Sequence, residues 1–243
     1  MTSIAIIGIG EVPAARMPER THWDIIYDTC IYDTCREAIL ESGLDKNDIQ
    51  GVVSVTPLRQ PIIDAELSYG LLPEELGLDG VRDAVVINAG GSSTSNALRM
   101  AEHWITTGIA DAVLVNHVTV HSTLSPQQMI QAFARAGVDM QWEYPYGTTY
   151  NIIMGLTANL YMKESGCTPE AMASVVTSLR SRAEKDPNSY YYGRKPPTIE
   201  EVLDSGLLNT PLHRKEGNVL ADGGSAWRGR RRRPTPTGRG KSS

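Results

Sequence analysis

The stretch from Ala84 to Val118 most constrains what this chain can fold into. Val85, Val86 and Ile87 form a short β-branched run, as in a strand covered on both faces. Asn88-Ala89-Gly90-Gly91 breaks that run with two glycines, which reach backbone angles other residues avoid. Ser92 and Ser93 are placed to cap a helix. Ala97, Met100, Ala101, Trp104 and Ile105, spaced as one helical face, give that helix an apolar side before Gly108 ends it. Ala112 to Val118 is the next buried strand. A strand-to-helix elbow puts its residues beside unpaired backbone N–H groups at the positive end of a helix. Such a corner can activate a nucleophile or hold an oxyanion or phosphate. The same residues also read as a tight turn with a serine cap.

The 243-residue chain is long enough for one large α/β domain or a domain with an appendage, and 41 % apolar with 21 % charged residues suits a globule. No apolar run approaches the roughly 18 residues of a membrane span. Met1-Thr2-Ser3 leads straight into an apolar run with no basic region, so a signal peptide is not expected and the expected location is cytoplasmic. Cys30, Cys35 and Cys167 are too few for a disulfide framework and wrongly spaced for a zinc knuckle. They read as reduced thiols in or near helices.

Ser3 to Ile9 predicts a first buried strand. Gly8-Ile9-Gly10 lacks the third glycine and helix of a dinucleotide fingerprint, because Pro13 and Arg16 follow instead. Thr21 to Ser42 predicts a helix containing an identical five-residue duplication, Ile26–Cys30 followed by Ile31–Cys35. Five residues turn a helix about 140° past a full turn, so strain or a bulge is expected there. Gly51 to Val55 is a second strand, and Asp64 to Leu76 a helix interrupted by Pro73. Thr119 to Gly147 reads as a long loop or lid carrying Trp142, Tyr144 and Tyr146. Helices are expected over Thr148–Ser165, Thr168–Lys185 and Thr198–Leu203, and a returning strand is expected to begin within 219–226.

The net charge of −5 hides a basic end: Trp227 to Ser243 holds seven Arg or Lys and no acid. Residues 227–243 therefore read as a low-complexity tail that is disordered or translated out of frame. A selected tail of this composition would bind nucleic acid by charge, a partner class not otherwise expected. His117 and His121 stand four apart at a strand end, a spacing that does not predict a metal pair, and no metal is expected. His22, His103 and His213 read as solvated or core-edge residues.

Five segments, in order, resemble the thiolase superfamily, specifically the sterol-carrier-type thiolases often labelled lipid-transfer proteins or acetyl-CoA acetyltransferases. They are IAIIGIGEVP, REAILESGLDKNDIQGVV, VINAGGSSTSNALRMAEHWITTGIADAVLV, MGLTANLYMKESGCTPEAMASVV and TIEEVLDSGLLNTPLHRKEGNVLADGGSA. The resemblance implies a layered α/β/α fold, with the N-terminal half in 1–118, a loop region with helices in 119–218, and the C-terminal half missing. It also implies a homodimer, an acyl-CoA thioester as substrate or ligand, and no further cofactor. Ungapped alignment on Ala97 puts Gly91 at the position of the family's nucleophilic cysteine, Ser93 at its serine and Thr94 at its glycine. No thiol stands there. Ser92 is adjacent but has no evident base. Gly90, Gly91, Ser92 and Tyr146 are the candidate substrate-binding residues, Ser92 and Ser93 are candidate catalytic hydroxyls, and the loop tyrosines are further acid–base candidates with none assigned. The resemblance implies acyl transfer or retro-aldol cleavage in full-length relatives. Cysteine-less members include retro-aldol enzymes that work with an OB-fold, zinc-ribbon partner. A non-catalytic lipid or acyl-CoA binder, a partner subunit and a truncated, non-functional gene product are the alternatives.

Overall fold

The computed structural model describes residues 4–16, 23–55, 68–121 and 125–231. β1 (Ile4–Ala15) leads to α1 (Trp23–Glu41), β2 (Gly51–Val55), α2 (Ser68–Leu76) and β3 (Asp83–Ile87). The elbow follows, then α3 (Ser93–Thr107) and β4 (Ala112–Thr119). α4 (Pro126–Gly137), α5 (Tyr150–Ser165), α6 (Pro169–Ala183) and α7 (Ile199–Leu203) precede a small hairpin of β5 (Leu207–Asn209) and β6 (Leu212–His213). β7 (Asp222–Arg231) returns to the main sheet.

That sheet has the order β1-β7-β4-β2-β3. β2, β3 and β4 are parallel, while β7 lies antiparallel between β4 and β1. The alternation of side chains sorts the core into two layers. On one face Val52, Leu114, Val118 and Ala226 pack with Ile31, Cys35 and Ala38 of α1 and Leu72 of α2. On the other, Val53, Val55, Val113 and Val115 pack with Ala97, Ala101 and Ile105 of α3, joined by the partly buried Met100, Trp104 and Trp227. The layered α/β/α expectation holds, and so does the apolar face read for α3.

The physical layout departs from the sequence reading in several places. β3 is an edge strand, so Val85, Val86 and Ile87 are half-buried rather than covered on both faces. β1 runs six residues beyond Ile9, through Ala15. α1 is one continuous helix across the duplication. Ile31, Thr34, Cys35 and Ala38 supply its buried stripe, so the second copy carries the packing phase. The side chains of 23–30 and residues 64–67, expected to open α2, lie outside the described residues.

The expected loop after Thr119 contains α4, started by a capping box: Ser125 Oγ accepts from Gln128 N at 3.3 Å and Gln128 Oε1 accepts from Ser125 N at 3.0 Å. Pro126 fills the first helical position. Ser125-Pro126-Gln127-Gln128 carried that signal in the sequence. The basic end needs the largest correction. The returning strand does not stop at Ala226 but runs through Arg231, pairing on both sides with β1 and β4. Trp227 joins the α3-side core and Arg228 is completely buried. Residues 232–243 lie outside the described residues.

The two glycines of Gly8-Ile9-Gly10 have a packing role. A Cβ at Gly8 would collide with Ala38 O, and one at Gly10 with Thr34 O, both in the backbone of α1. They let the helix lie directly on β1.

Candidate functional site

β2, β3 and β4 all finish on one edge of the sheet, and in open α/β sheets that edge is where ligands sit. β1 also ends there, and β7 begins there, because β7 is antiparallel to both its neighbours. The elbow lies at this edge. Gly90 has φ +57°, a left-handed conformation that suits glycine, and opens a single 3-10 turn over Gly90–Ser92. α3 starts immediately after it. A Cβ at Gly90 or Gly91 would meet no atom of the described residues within 4 Å, so among them the corner is open to a ligand.

The serines act differently from the caps expected. Ser92 Oγ donates to Ala89 O at 2.8 Å and accepts from Asn96 Nδ2 at 3.2 Å. Ser93 Oγ donates to Gly90 O at 2.7 Å and accepts from Ala89 N at 2.8 Å. Both hydroxyls therefore bind the turn that precedes the helix rather than the N–H groups inside it. Ser92 has no base hydrogen-bonded to it among the described residues, and Ser93 is buried with both roles filled. Neither is set up as a nucleophile. Tyr146 is 83 % exposed in a 3-10 turn and adds no enclosure to the corner.

Sequence reasoning missed the group that does approach the elbow. Thr94, in the first turn of α3, places Oγ1 2.7 Å from Nδ1 of His117 near the end of β4. Val113, Val115 and His117 alternate onto the α3 face, so strand parity was the available signal. His117 also borders an open depression of about 280 Å³ where β4, β7 and β1 meet. Glu11, Thr119 and residues 222–225 also line it. Beneath this edge Asn116 Nδ2 donates to Ser54 Oγ at 2.9 Å, a buried pair that ties β4 to β2.

His121 follows β4. Its backbone N donates to Asp222 Oδ1 at 2.6 Å, while its ring packs 6.0 Å from that of Phe133. Burial lowers the pKa of His117, and the neighbouring His121 lowers it further. Burial also lowers that of His121, with Asp222 opposing the shift. Both rings are neutral at pH 7. Among the described residues no cluster of three His, Cys, Asp or Glu is arranged to hold a metal.

The linkage has a definite sign. The unfolded chain takes up these protons near its ordinary value of 6.5, while the folded chain resists until lower pH. The histidine contribution is complete above that value and is lost as pH falls below it. The melting temperature should therefore fall between about pH 7 and about pH 5, and less so in His121→Gln. A flat or rising profile, followed by circular dichroism, contradicts this assignment.

The thiols lie elsewhere. Cys35 is buried under the opposite face of the sheet, and burial pushes its pKa up to about 12, leaving it inert. Cys167 precedes α6 and is partly exposed. No helix among the described residues is long and apolar enough to cross a membrane.

This geometry defines a layered α/β/α protein with an open strand-to-helix corner at the ligand edge of its sheet. No family model matches the chain. It is 26 % identical over 226 residues to an acetyl-CoA acetyltransferase of Methanocaldococcus jannaschii, covering 93 % of this chain and 55 % of that protein. It is 27 % identical over 153 residues to the benzoylsuccinyl-CoA thiolase subunit BbsB of Thauera aromatica, covering 63 % of this chain and 38 % of that one. Among solved structures, the Ltp2-ChsH2(DUF35) aldolase superposes with a TM-score of 0.74 at 24 % identity, over 94 % of this chain and 55 % of its own. A monomeric SCP2-thiolase like protein type 1 from Mycobacterium smegmatis gives 0.64 at 18 %, over 94 % and 45 %. The chain has a thiolase-like fold, as its ordered segments implied, and its relatives carry acetyl-CoA acetyltransferase and thiolase names. It spans about half the length of the curated relatives it matches.

Proposed function

We propose that this chain binds an acyl-CoA thioester at the β3–α3 corner and performs no Claisen-type acyl transfer through a covalent intermediate of its own. The observation that carries the reading is the open corner itself. Gly91 stands at the start of α3, where the resemblance expects a reactive sulfur, with free space around its Cα. Backbone N–H groups at such a helix start stabilise a carbonyl oxygen as negative charge grows on it. The names of the relatives support the substrate class, since they act on coenzyme A thioesters. The missing nucleophile disfavours acyl transfer: Ser92 has no base and Cys35 lies under the other face.

The aldolase likeness favours retro-aldol cleavage over acyl transfer for the assembled protein. That reaction needs a polarised thioester carbonyl and acid–base groups but no covalent acyl-enzyme. A solved structure that the chain resembles is named as an Ltp2-ChsH2 aldolase, which supports a partner subunit here too.

Calorimetry with acetyl-CoA tests the binding step. The chain should bind it, and Gly91→Trp, whose side chain enters open space and spares the fold, should abolish binding. Equal binding by both proteins would remove the corner from the reading.

A further inference from the structure

Resting on that thioester reading, a second group at the same edge has a role that neither the corner nor the resemblance assigns. The Thr94 hydroxyl has one hydrogen-bond partner among the described residues, His117 Nδ1 at 2.7 Å. A hydroxyl can place its hydrogen on a ring nitrogen's lone pair. With the hydroxyl donating, Nδ1 accepts, and in a neutral ring the proton is then on Nε2, an assignment the tautomer measurement below tests. His117 is a wall residue of the depression beside β7, so Nε2–H is the ring's remaining polar group at that wall.

The surroundings select what such a donor would take. Glu11 and Asp222 are both wall residues of the same depression, and α3 brings no acid or base in its first turn. Two carboxylates repel a phosphate or a carboxylate ligand but tolerate a neutral carbonyl. The neighbouring His121 ring has a buried Nε2 with no hydrogen-bond partner among the described residues, an unfilled polar demand beside the same wall.

We infer that His117 is a specific hydrogen-bond donor for a neutral acyl carbonyl oxygen, held in its Nε2–H form by Thr94 and presented to the depression formed with Glu11, Thr119 and Asp222–Ser225. His117 is the contacting residue, and Thr94 is a positioning residue. A neutral imidazole donor polarises a carbonyl without first giving up a full charge. Its bond strengthens as the carbonyl oxygen gains negative charge.

Infrared spectroscopy with carbonyl-labelled acetyl-CoA, together with nitrogen NMR of labelled histidine, tests this. In the wild-type chain the bound carbonyl band should move to lower frequency, and His117 should show the Nε2–H tautomer. Thr94→Ser should keep both signatures. Thr94→Val should leave a mixture of tautomers and a smaller band shift. His117→Phe should return the band towards its free position and weaken binding about tenfold. If His117→Phe does not fold, the wild-type spectrum and the Thr94 pair decide the question alone. A bound carbonyl at its free frequency, or an Nδ1–H tautomer in the wild-type chain, overturns the inference and leaves the thioester reading standing. Failure of acetyl-CoA to bind at all overturns both.

Discussion

Gly10→Ala is expected to cost about 3 kcal/mol of stability and to lower the melting temperature by roughly 10 °C. The added Cβ would run into Thr34 O and lie 2.8 Å from Ala38 N, both main-chain atoms of α1. No rotamer change relieves a collision with helix backbone, so β1 and α1 must separate. That separation would loosen Ile31, Cys35 and Ala38 from the sheet, and with them the larger of the two core layers. Gly91→Ala is the matched control. Its Cβ meets nothing within 4 Å, so it should change stability by less than about 0.5 kcal/mol. Similar melting temperatures for Gly10→Ala and the wild-type chain would mean that α1 does not lie on β1 as described.

Arg228→Ala is expected to be at least as damaging, at about 3–5 kcal/mol. The guanidinium is fully buried at the end of α1, where Nη1 donates to Ser42 Oγ at 2.9 Å and Leu44 O at 3.1 Å. Nη2 donates to Asp45 O at 2.8 Å. Those carbonyls lie in the turn that follows α1, so the arginine ties β7 to the segment that carries the chain towards β2. Truncation would remove three hydrogen bonds at once, leaving Leu44 O without this donor while Asp45 O keeps Asp48 N, and would open a cavity on the α1 side of the sheet. Arg228→Lys should rescue little, because an ammonium cannot reproduce a planar fork reaching three acceptors. Urea unfolding with matched m-values measures the loss. An unperturbed Arg228→Ala would return residues 227–231 to the status of a tail.

The basic end shows where the sequence was hardest to read. Arginine density, proline and glycine argue for a segment without a core, yet five of those residues complete a central strand. A strand between β1 and β4 is stabilised by backbone pairing on both edges, so its side chains need less intrinsic β preference. What had to be known was that Ser42 and the carbonyls of Leu44 and Asp45 stand within reach of Arg228, and that is a tertiary fact.

The elbow and α3 were legible because their signals are local: a β-branched run, paired glycines, a three-and-four spacing and a closing Gly108. The Thr94–His117 pair was not, because 23 residues separate its members and only the parallel pairing of the strands brings β4 beside the helix. Ser92 drew attention by its neighbourhood to the missing sulfur, but its hydroxyl serves the turn. α4 was overlooked although its capping box was written in the sequence, since prolines and glycines on either side read as loop.

The account stands on the corner at Gly91 being a place where a thioester carbonyl meets a helix start. Gly91→Cys tests this most directly, because Gly91 has open space and lacks a left-handed φ that would resist a side chain. Intact-mass and peptide mapping after incubation with acetyl-CoA would follow transfer of the acetyl group to the new thiol, with coenzyme A leaving as its thiol. The prediction is acetylation at position 91 in the variant and none on the wild-type chain. A variant that is acetylated no faster than Cys167 of the same chain would contradict it.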